Sequence, residues 1–340
     1  MICPHCSRNL LYKQRGRRRC SYCKQHFAFE PKGNKLHLHD MKVRKLADRL
    51  SDEGRLRYTV TQLWYAASRK SLADTPRPLA GCGCALPVLG LAAVAVIGGL
   101  GKIGSDAFGG LMLGVGTVVA LAYVLLVVKR GRLRREAAIR PRLPLGEFRD
   151  MILRRWAEVY NAVPHDLIDE EMAIAPAIAQ PRLALVCPDR SVLACLGANG
   201  APQTFTMMLT MSPERVPPGV PVIVVHDASA AGCRYAAQVR AALPGRVVVD
   251  AGLRPSVVLR RAPLIRLRHK PFPAPGDLAG LSLTDSEVAW LGQGFWSPVA
   301  AIGPAPLLAA ITKAAQRAQA MTDPEQRRAE QVGFLTWPAS

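Results

Sequence analysis

The chain has 340 residues, 49% hydrophobic but only 6% aromatic, with 45 Lys and Arg against 25 Asp and Glu and a formal net charge of +20. That hydrophobic content excludes a disordered chain, nine cysteines are too sparse for a small disulfide scaffold, and the length suits two or three domains. The excess positive charge excludes a neutral metabolic enzyme and calls for a polyanionic neighbour, either nucleic acid or an anionic membrane face.

Cys3-Pro4-His5-Cys6 and Cys20-Ser21-Tyr22-Cys23 are two Cys-x-x-Cys knuckles thirteen residues apart. Each knuckle is a tight turn that points two thiolates at one centre, and two of them supply the four tetrahedral ligands that zinc prefers. Residues 9–19 then make a hairpin, and Phe27 and Phe29 alternate with polar neighbours as a third strand would. Residues 1–30 thus resemble the zinc-ribbon family. The resemblance implies one structural Zn²⁺ on Cys3, Cys6, Cys20 and Cys23, because so small a unit cannot fold on core burial alone. A pair of disulfides is the alternative, which a cytoplasmic location disfavours. His5 and His26 lie close by, but four thiolates already suffice. Arg15, Arg17, Arg18 and Arg19 crowd the hairpin and suit either nucleic-acid phosphates or anionic lipid headgroups.

Residues 31–78 read as a basic helical module. Asp40 is placed to cap a helix through Leu50, with Val43, Leu46, Ala47 and Leu50 on one face, and Gly54 breaks it. Thr59 then caps a second helix through about Lys70, with Leu63, Trp64 and Ala67 inward. Two helices joined by a short turn suggest a helix-turn-helix-like unit.

Residues 79–128 carry only two charges, Lys102 and Asp106, which separate two uncharged runs at 81–101 and 107–128. Each run approaches the roughly 20 residues of a membrane span, so the expectation is a two-helix transmembrane hairpin with the lipid bilayer as a partner. Arg69, Lys70 and Arg77 precede it, and Lys129, Arg130, Arg132, Arg134 and Arg135 follow it. This asymmetry predicts an inner-membrane protein with two spans and both termini cytoplasmic. A basic linker and an amphipathic helix follow over 129–180, with Phe148, Ile152, Trp156 and Val159 at helical spacing.

Residues 181–321 read as a cytoplasmic α/β domain, and 322–340 as a loose tail. Apolar runs at 183–187, 220–226 and 246–250 are strands, alternating with helices at 191–197 and 230–243. Thr284 and Glu287 make a capping box for a later helix, and 304–320 is Ala-rich and helical. This order predicts a mostly parallel sheet, Toprim-like or Rossmann-like. Chemistry in such a sheet gathers at the strand carboxyl ends, which here carry Pro188-Asp189 and His226-Asp227-Ala228-Ser229-Ala230-Ala231-Gly232.

Residues 225–232 resemble the Asp-x-Asp-x-x-Gly turn of Toprim domains, the metal-binding module of primases and topoisomerases. Residues 186–196 resemble the earlier Toprim turn, which carries a catalytic Glu. The A subunit of topoisomerase VI also places an aromatic motif similar to residues 59–65 in a preceding winged helix, with its nucleophilic Tyr at the position of Tyr65. The resemblance implies DNA processing by Tyr65 with Mg²⁺ held at Asp227. The departures are substantial: Pro188 stands where the Glu belongs and Ser229 where the second Asp belongs, leaving Asp227 and Gly232. One carboxylate beside a His is a poor site for a hard cation. The leading reading is therefore a membrane-anchored zinc-ribbon protein, a non-catalytic binding or scaffold protein whose basic N-terminal region contacts nucleic acid. The alternative is a Toprim-type enzyme with a degenerate metal site, and a small-ligand sensor with a pocket beside Asp189 and Asp227 is a third class.

Overall fold

The computed structural model describes residues 1–69, 117, 121, 125, 138–174, 176–260, 264–270, 272, 273 and 275–322. The chain divides into two compact units, Met1–Ser71 with Arg140–Ser340, and Leu72–Ile139. In the first unit the N-terminal segment is built from turns more than strands. Two isolated antiparallel bridges, Ile2 with Asn9 and Arg19 with His26, flank the knuckles, and 3-10 turns span Tyr12–Gln14 and Gly16–Arg18. The expected third strand does not form. Phe27, Ala28 and Phe29 are buried, and the N–H groups of Ala28 and Phe29 donate to the carboxylate of Asp40 at 2.7 and 2.9 Å. Asp40 is therefore not the cap of α1 (Asp40–Leu50); His39 is, its ring accepting from the Lys42 N–H.

A two-residue strand, β1 (Tyr58–Thr59), leads into α2 (Val60–Ser68). Its first turn is closed twice. Thr59 and Gln62 form a reciprocal capping box, and the buried Glu170 accepts from the N–H groups of Val60 and Thr61 at 3.0 Å each and from the Thr61 hydroxyl. A carboxylate here also meets the positive end of the helix dipole. α3 (Leu145–Asp150) runs into α4 (Trp156–Tyr160) through a π turn at Met151–Arg155, and β2 (Leu167–Ile168) pairs in parallel with β1. Phe29, Leu38, Val43, Tyr58 and Leu63 pack with Phe148, Ile152 and Trp156 in one apolar cluster. The two helices of the basic module thus share a core with a segment some eighty residues later.

The α/β part runs β3 (Leu183–Val186), α5 (Arg190–Ala198), α6 (Ala201–Phe205), β4 (Met207–Thr210), β5 (Val222–Val224), α7 (Ala230–Ala242), β6 (Val248–Asp250), α8 (Pro255–Arg260), β7 (Leu267–Arg268), α9 (Asp285–Gly292), β8 (Phe295–Trp296) and α10 (Pro304–Thr322). Four parallel strands lie in the order β4-β3-β5-β6. β3 and β5 are buried at every position, as central parallel strands covered on both faces should be. β7 and β8 form a separate antiparallel pair, tied to the end of β5 by a bridge between Ala228 and Ser297. The N-cap of α2 is sewn to this region through Thr59 Oγ1 and Ser191 Oγ at 2.6 Å and through Gln62 Nε2, which donates to the Ile302 carbonyl at 2.9 Å.

No described helix is long and apolar enough to cross a membrane. The two-helix transmembrane hairpin is therefore withdrawn from the fold, together with the two-span inner-membrane placement built on it. The longest described helix, α10, carries Lys313, Gln316 and Arg317 on a surface opposite its buried Leu307, Ile311 and Ala315, so its polarity suits packing on one side only. Apart from positions 117, 121 and 125, the expected spans at 81–101 and 107–128 lie outside the described residues.

Asp40→Ala leaves two buried N–H groups without an acceptor and should cost about 2–4 kcal/mol of stability. Asp40→Asn, which keeps one acceptor oxygen, should cost less. Thermal unfolding of the three chains side by side measures this, and equal midpoints for Asp40→Ala and the parent would refute the role assigned to the carboxylate.

Candidate functional site

The two knuckles are repeats of one turn, displaced by seventeen positions. Cys3 N–H donates to the Arg8 carbonyl and Cys20 N–H to the Gln25 carbonyl, both at 2.9 Å; Ser7 and Lys24 N–H close the turns onto Cys3 and Cys20. Ser7 and Lys24 both take positive φ, 56° and 61°, which swings the chain back after the second cysteine of each knuckle. The result brings the four sulfurs of Cys3, Cys6, Cys20 and Cys23 within 4.8 Å of one another. Cys3–Cys23 and Cys6–Cys20 are each 3.8 Å apart, too long for a disulfide. That separation is close to the tetrahedron edge of about 3.8 Å that follows from a Zn–S bond of about 2.3 Å.

Burial pushes the Cys3 thiol up to about 12. At Cys20 burial acts the same way but is outweighed by the N–H groups of Cys23 and Tyr22, and the thiol falls to about 7. Four sulfurs this close repel one another when ionised, so a divalent cation is the natural occupant. The cluster is thus able to hold a metal and is compatible with a zinc ribbon. His5 stays outside it, donating from Nε2 to the His26 carbonyl at 2.8 Å and stacking on Tyr160.

Around the cysteines the surface is uniformly basic. Residues 1–29 contain seven Lys and Arg and no Asp or Glu, and Arg8, Lys13, Arg17, Arg18, Arg19 and Lys24 are exposed. Tyr12 and Tyr22 are 57% and 46% exposed among them. Arg8 lies 4.7 Å from the Tyr22 ring centre and Lys32 4.2 Å from that of Tyr12, while Gln14 Nε2 donates to the Tyr22 hydroxyl at 3.0 Å. The sequence reading picked out the arginines and passed over the tyrosines, whose exposure no local pattern announces.

The second site lies at the carboxyl ends of β3 and β5. The winding direction reverses between these neighbours, the place where open α/β sheets gather ligands. Asp189, after β3, caps α5 by accepting from the Val192 N–H; burial raises it against the pull of the Val192 and Ser191 N–H groups. Asp227, after β5, accepts from the Val299 N–H at 2.7 Å. Its burial outweighs that bond, Asp189 adds like charge, and it rises to about 6.

Between them and β6 sits the buried His226. Its Nδ1 is 2.8 Å from the Asp227 carbonyl and its Nε2 is 3.2 Å from Asp250 Oδ1. Each ring nitrogen thus has a hydrogen-bond partner, the Asp227 carbonyl on one side and the Asp250 carboxylate on the other. At Asp250 burial opposes ionisation but is overcome by His226, the Gly252 N–H and Arg254, which hold it well below the usual carboxylate range. Two glycines make room for the ring. A Cβ at Gly252 would lie 2.2 Å from the imidazole, and one at Gly232 would lie 2.2 Å from the Asp227 carbonyl oxygen. The sequence reading singled out Gly232 and Asp227 but missed Asp250 and Gly252, which lie one strand away.

Tyr65 is brought into this neighbourhood. Burial, then the charges of Asp227 and Asp189, push its phenol above the ordinary range. A buried phenol that resists ionisation is a poor nucleophile. Mg²⁺ does not fit either: Asp189 and Asp227 each have a backbone N–H on the carboxylate, and both His226 nitrogens are engaged. Among the described residues the four cysteines are the only group of three or more metal-ligating side chains. No protein-family model, curated protein or solved structure matches the chain, so the Toprim resemblance rests on its few residues alone.

An acid raised by the fold favours the folded state when protonated, so Asp227 stabilises fully below its ordinary value of 3.8 and loses that contribution as pH rises through about 6. Asp227→Asn keeps an acceptor for Val299 and should raise stability at pH 7 by roughly 1–2 kcal/mol, allowing for partial exposure. The gain should vanish below about pH 4. Urea unfolding at pH 4 and pH 7 checks this, and a gain that is the same at both values would contradict it.

Proposed function

We propose that this chain is a zinc-ribbon protein that binds nucleic acid through the basic face of its N-terminal 30 residues and performs no chemistry there. The observation that carries this is the ribbon's surface: six exposed cations, no carboxylate over residues 1–29, and two exposed tyrosines among the cations, the seventh cation, Arg15, being held against Glu30. Phosphates neutralised by Lys and Arg release counterions, and exposed aromatic rings give bases a stacking platform, the combination used for single strands. Zinc on Cys3, Cys6, Cys20 and Cys23 holds the turns that present those side chains.

A DNA-cleaving role is less well supported, since the Tyr65 phenol is buried and the acids near it number two. Anionic lipid remains a competing polyanion for the same cations. Exposed tyrosines also suit a membrane interface, so the vesicle measurement below is the one that separates the two partners.

Elemental analysis of the purified full chain should find about one zinc per molecule, and Cys20→Ser should lose it. Stoichiometry near zero under reducing conditions would end the zinc assignment. The full chain should bind single-stranded oligonucleotides with affinity falling about three hundredfold between 50 and 200 mM salt, if six cations meet phosphates. The double variant Tyr12→Ala, Tyr22→Ala should keep its zinc and lose about tenfold or more in single-strand affinity. Binding to anionic vesicles with none to nucleic acid at physiological salt would overturn the reading.

A further inference from the structure

A cavity of about 640 Å³ opens beside Asp227, between the first turn of α7 and the β7–β8 pair. The volume is within the range of small-molecule sites, and its position beside the reversal of winding is where α/β folds place ligands. Its walls divide by chemistry. Phe272, Phe295 and Trp296 form an aromatic side, with His269 stacked on Trp296 at 4.8 Å and 5° between ring planes. Phe272 is 44% exposed and is fixed from behind: Gly294 has φ +79°, and a Cβ there would meet the ring at 2.5 Å. Lys270 and Arg234 supply positive charge, and Arg234 reaches Asp277 at 3.5 Å while both stay nearly half exposed. Asp227 supplies a carboxylate to the opposite wall, and the N–H groups of Ala230 and Ala231 have no intrahelical acceptor. A ligand that satisfies all of these carries a flat ring, hydroxyl donors and an anionic group.

We propose that this cavity binds a nucleoside phosphate, with the base against Phe272, sugar hydroxyls toward Asp227 and the phosphate toward Lys270 and Arg234. The ligand's source is either a free mononucleotide or the terminal nucleotide of a strand, which present the same chemistry. The proposal stands apart from the ribbon: it uses none of the ribbon's residues and survives if the ribbon binds no nucleic acid.

The test is calorimetric titration of the full chain with AMP, GMP, CMP and UMP, with adenosine and inorganic phosphate alone, and with a 5′-phosphorylated oligonucleotide. At least one mononucleotide should bind about tenfold or more tightly than adenosine or phosphate, since ring and anion each contribute. Phe272→Ala and Lys270→Ala, both at exposed side chains, should each weaken that binding about tenfold with an unchanged melting temperature. The ribbon double variant Tyr12→Ala, Tyr22→Ala should leave it unchanged. Oligonucleotide binding that depends on Phe272 when the ribbon is altered would identify a strand end as the source, and mononucleotide binding alone a free nucleotide. The proposal fails if no mononucleotide binds at millimolar concentration, if phosphate binds as tightly as any nucleotide, or if both variants bind like the parent.

Discussion

The carboxylate of Asp40 is the point on which the position of the cysteine centre depends. Wholly buried, it accepts from the N–H groups of Ala28 and Phe29 as the chain leaves the second knuckle, and from the Tyr160 hydroxyl of α4. A buried carboxylate without donors would be untenable; with three it becomes a rigid three-way joint between ribbon, α1 and α4. Secondary contacts follow from it. Arg44, one turn along α1, donates to the Pro4 carbonyl at 3.4 Å and lies over the Tyr160 ring, on which His5 stacks. The first knuckle is thereby held as well as the second, and the ribbon is docked on the helical core instead of hanging from a linker. Its basic face consequently has a fixed direction.

The strand-end site depends on a similar device with the opposite outcome. His226 lies 3.2 Å from Asp250 inside the sheet edge, and Arg240 and Arg254 lie 3.4 and 3.5 Å from the same carboxylate. That network holds the β5 end in place and leaves Asp227 and Asp189 facing one another with only backbone donors. Burial raises both acids, and at Asp227 the charge of Asp189 adds to it.

What could be read from the sequence was local. The knuckles were legible because a metal centre demands fixed short spacings, and the Thr59 cap and the capping box of Thr284 with Glu287 were legible because each closes within four residues. The apolar runs that become β3 and β5 stand out because central parallel strands are buried on both faces. Everything carried by distant partners was hidden. Asp40 sits where a cap belongs, and only the fold shows that it serves Ala28 and Phe29. Glu170 closes α2 from 110 positions away, and no periodicity links His226 to Asp250. β4 escaped because Met207, Met208 and Leu209 favour a helix as readily as a strand. The uncharged runs at 81–101 and 107–128 were read from hydropathy alone, and no described helix answers to them.

The charge on the ribbon has two possible beneficiaries, and they can be separated by arithmetic. With the proposed Zn²⁺ in place, four thiolates would leave the centre with two net negative charges, which nearby cations would offset. Six exposed Lys and Arg, Arg15 being paired with Glu30, less those two leave four in excess. A structural metal therefore explains part of the basic character but not most of it. Nor does it explain the exposed apolar surface, since the metal turns are closed by backbone hydrogen bonds and by the buried Leu10. Leu11 at 69% and Tyr12 at 57% stand out of the hairpin instead of packing into it. Exposing a ring to water forfeits the stabilisation its burial would bring, and the Arg and Lys side chains beside Tyr12 and Tyr22 only partly shield them. Arg8 covers Tyr22, and Arg15 and Lys32 cover Tyr12, so rings and cations are held together as one exposed surface. On the proposed reading, phosphates neutralise those cations while bases stack on those rings.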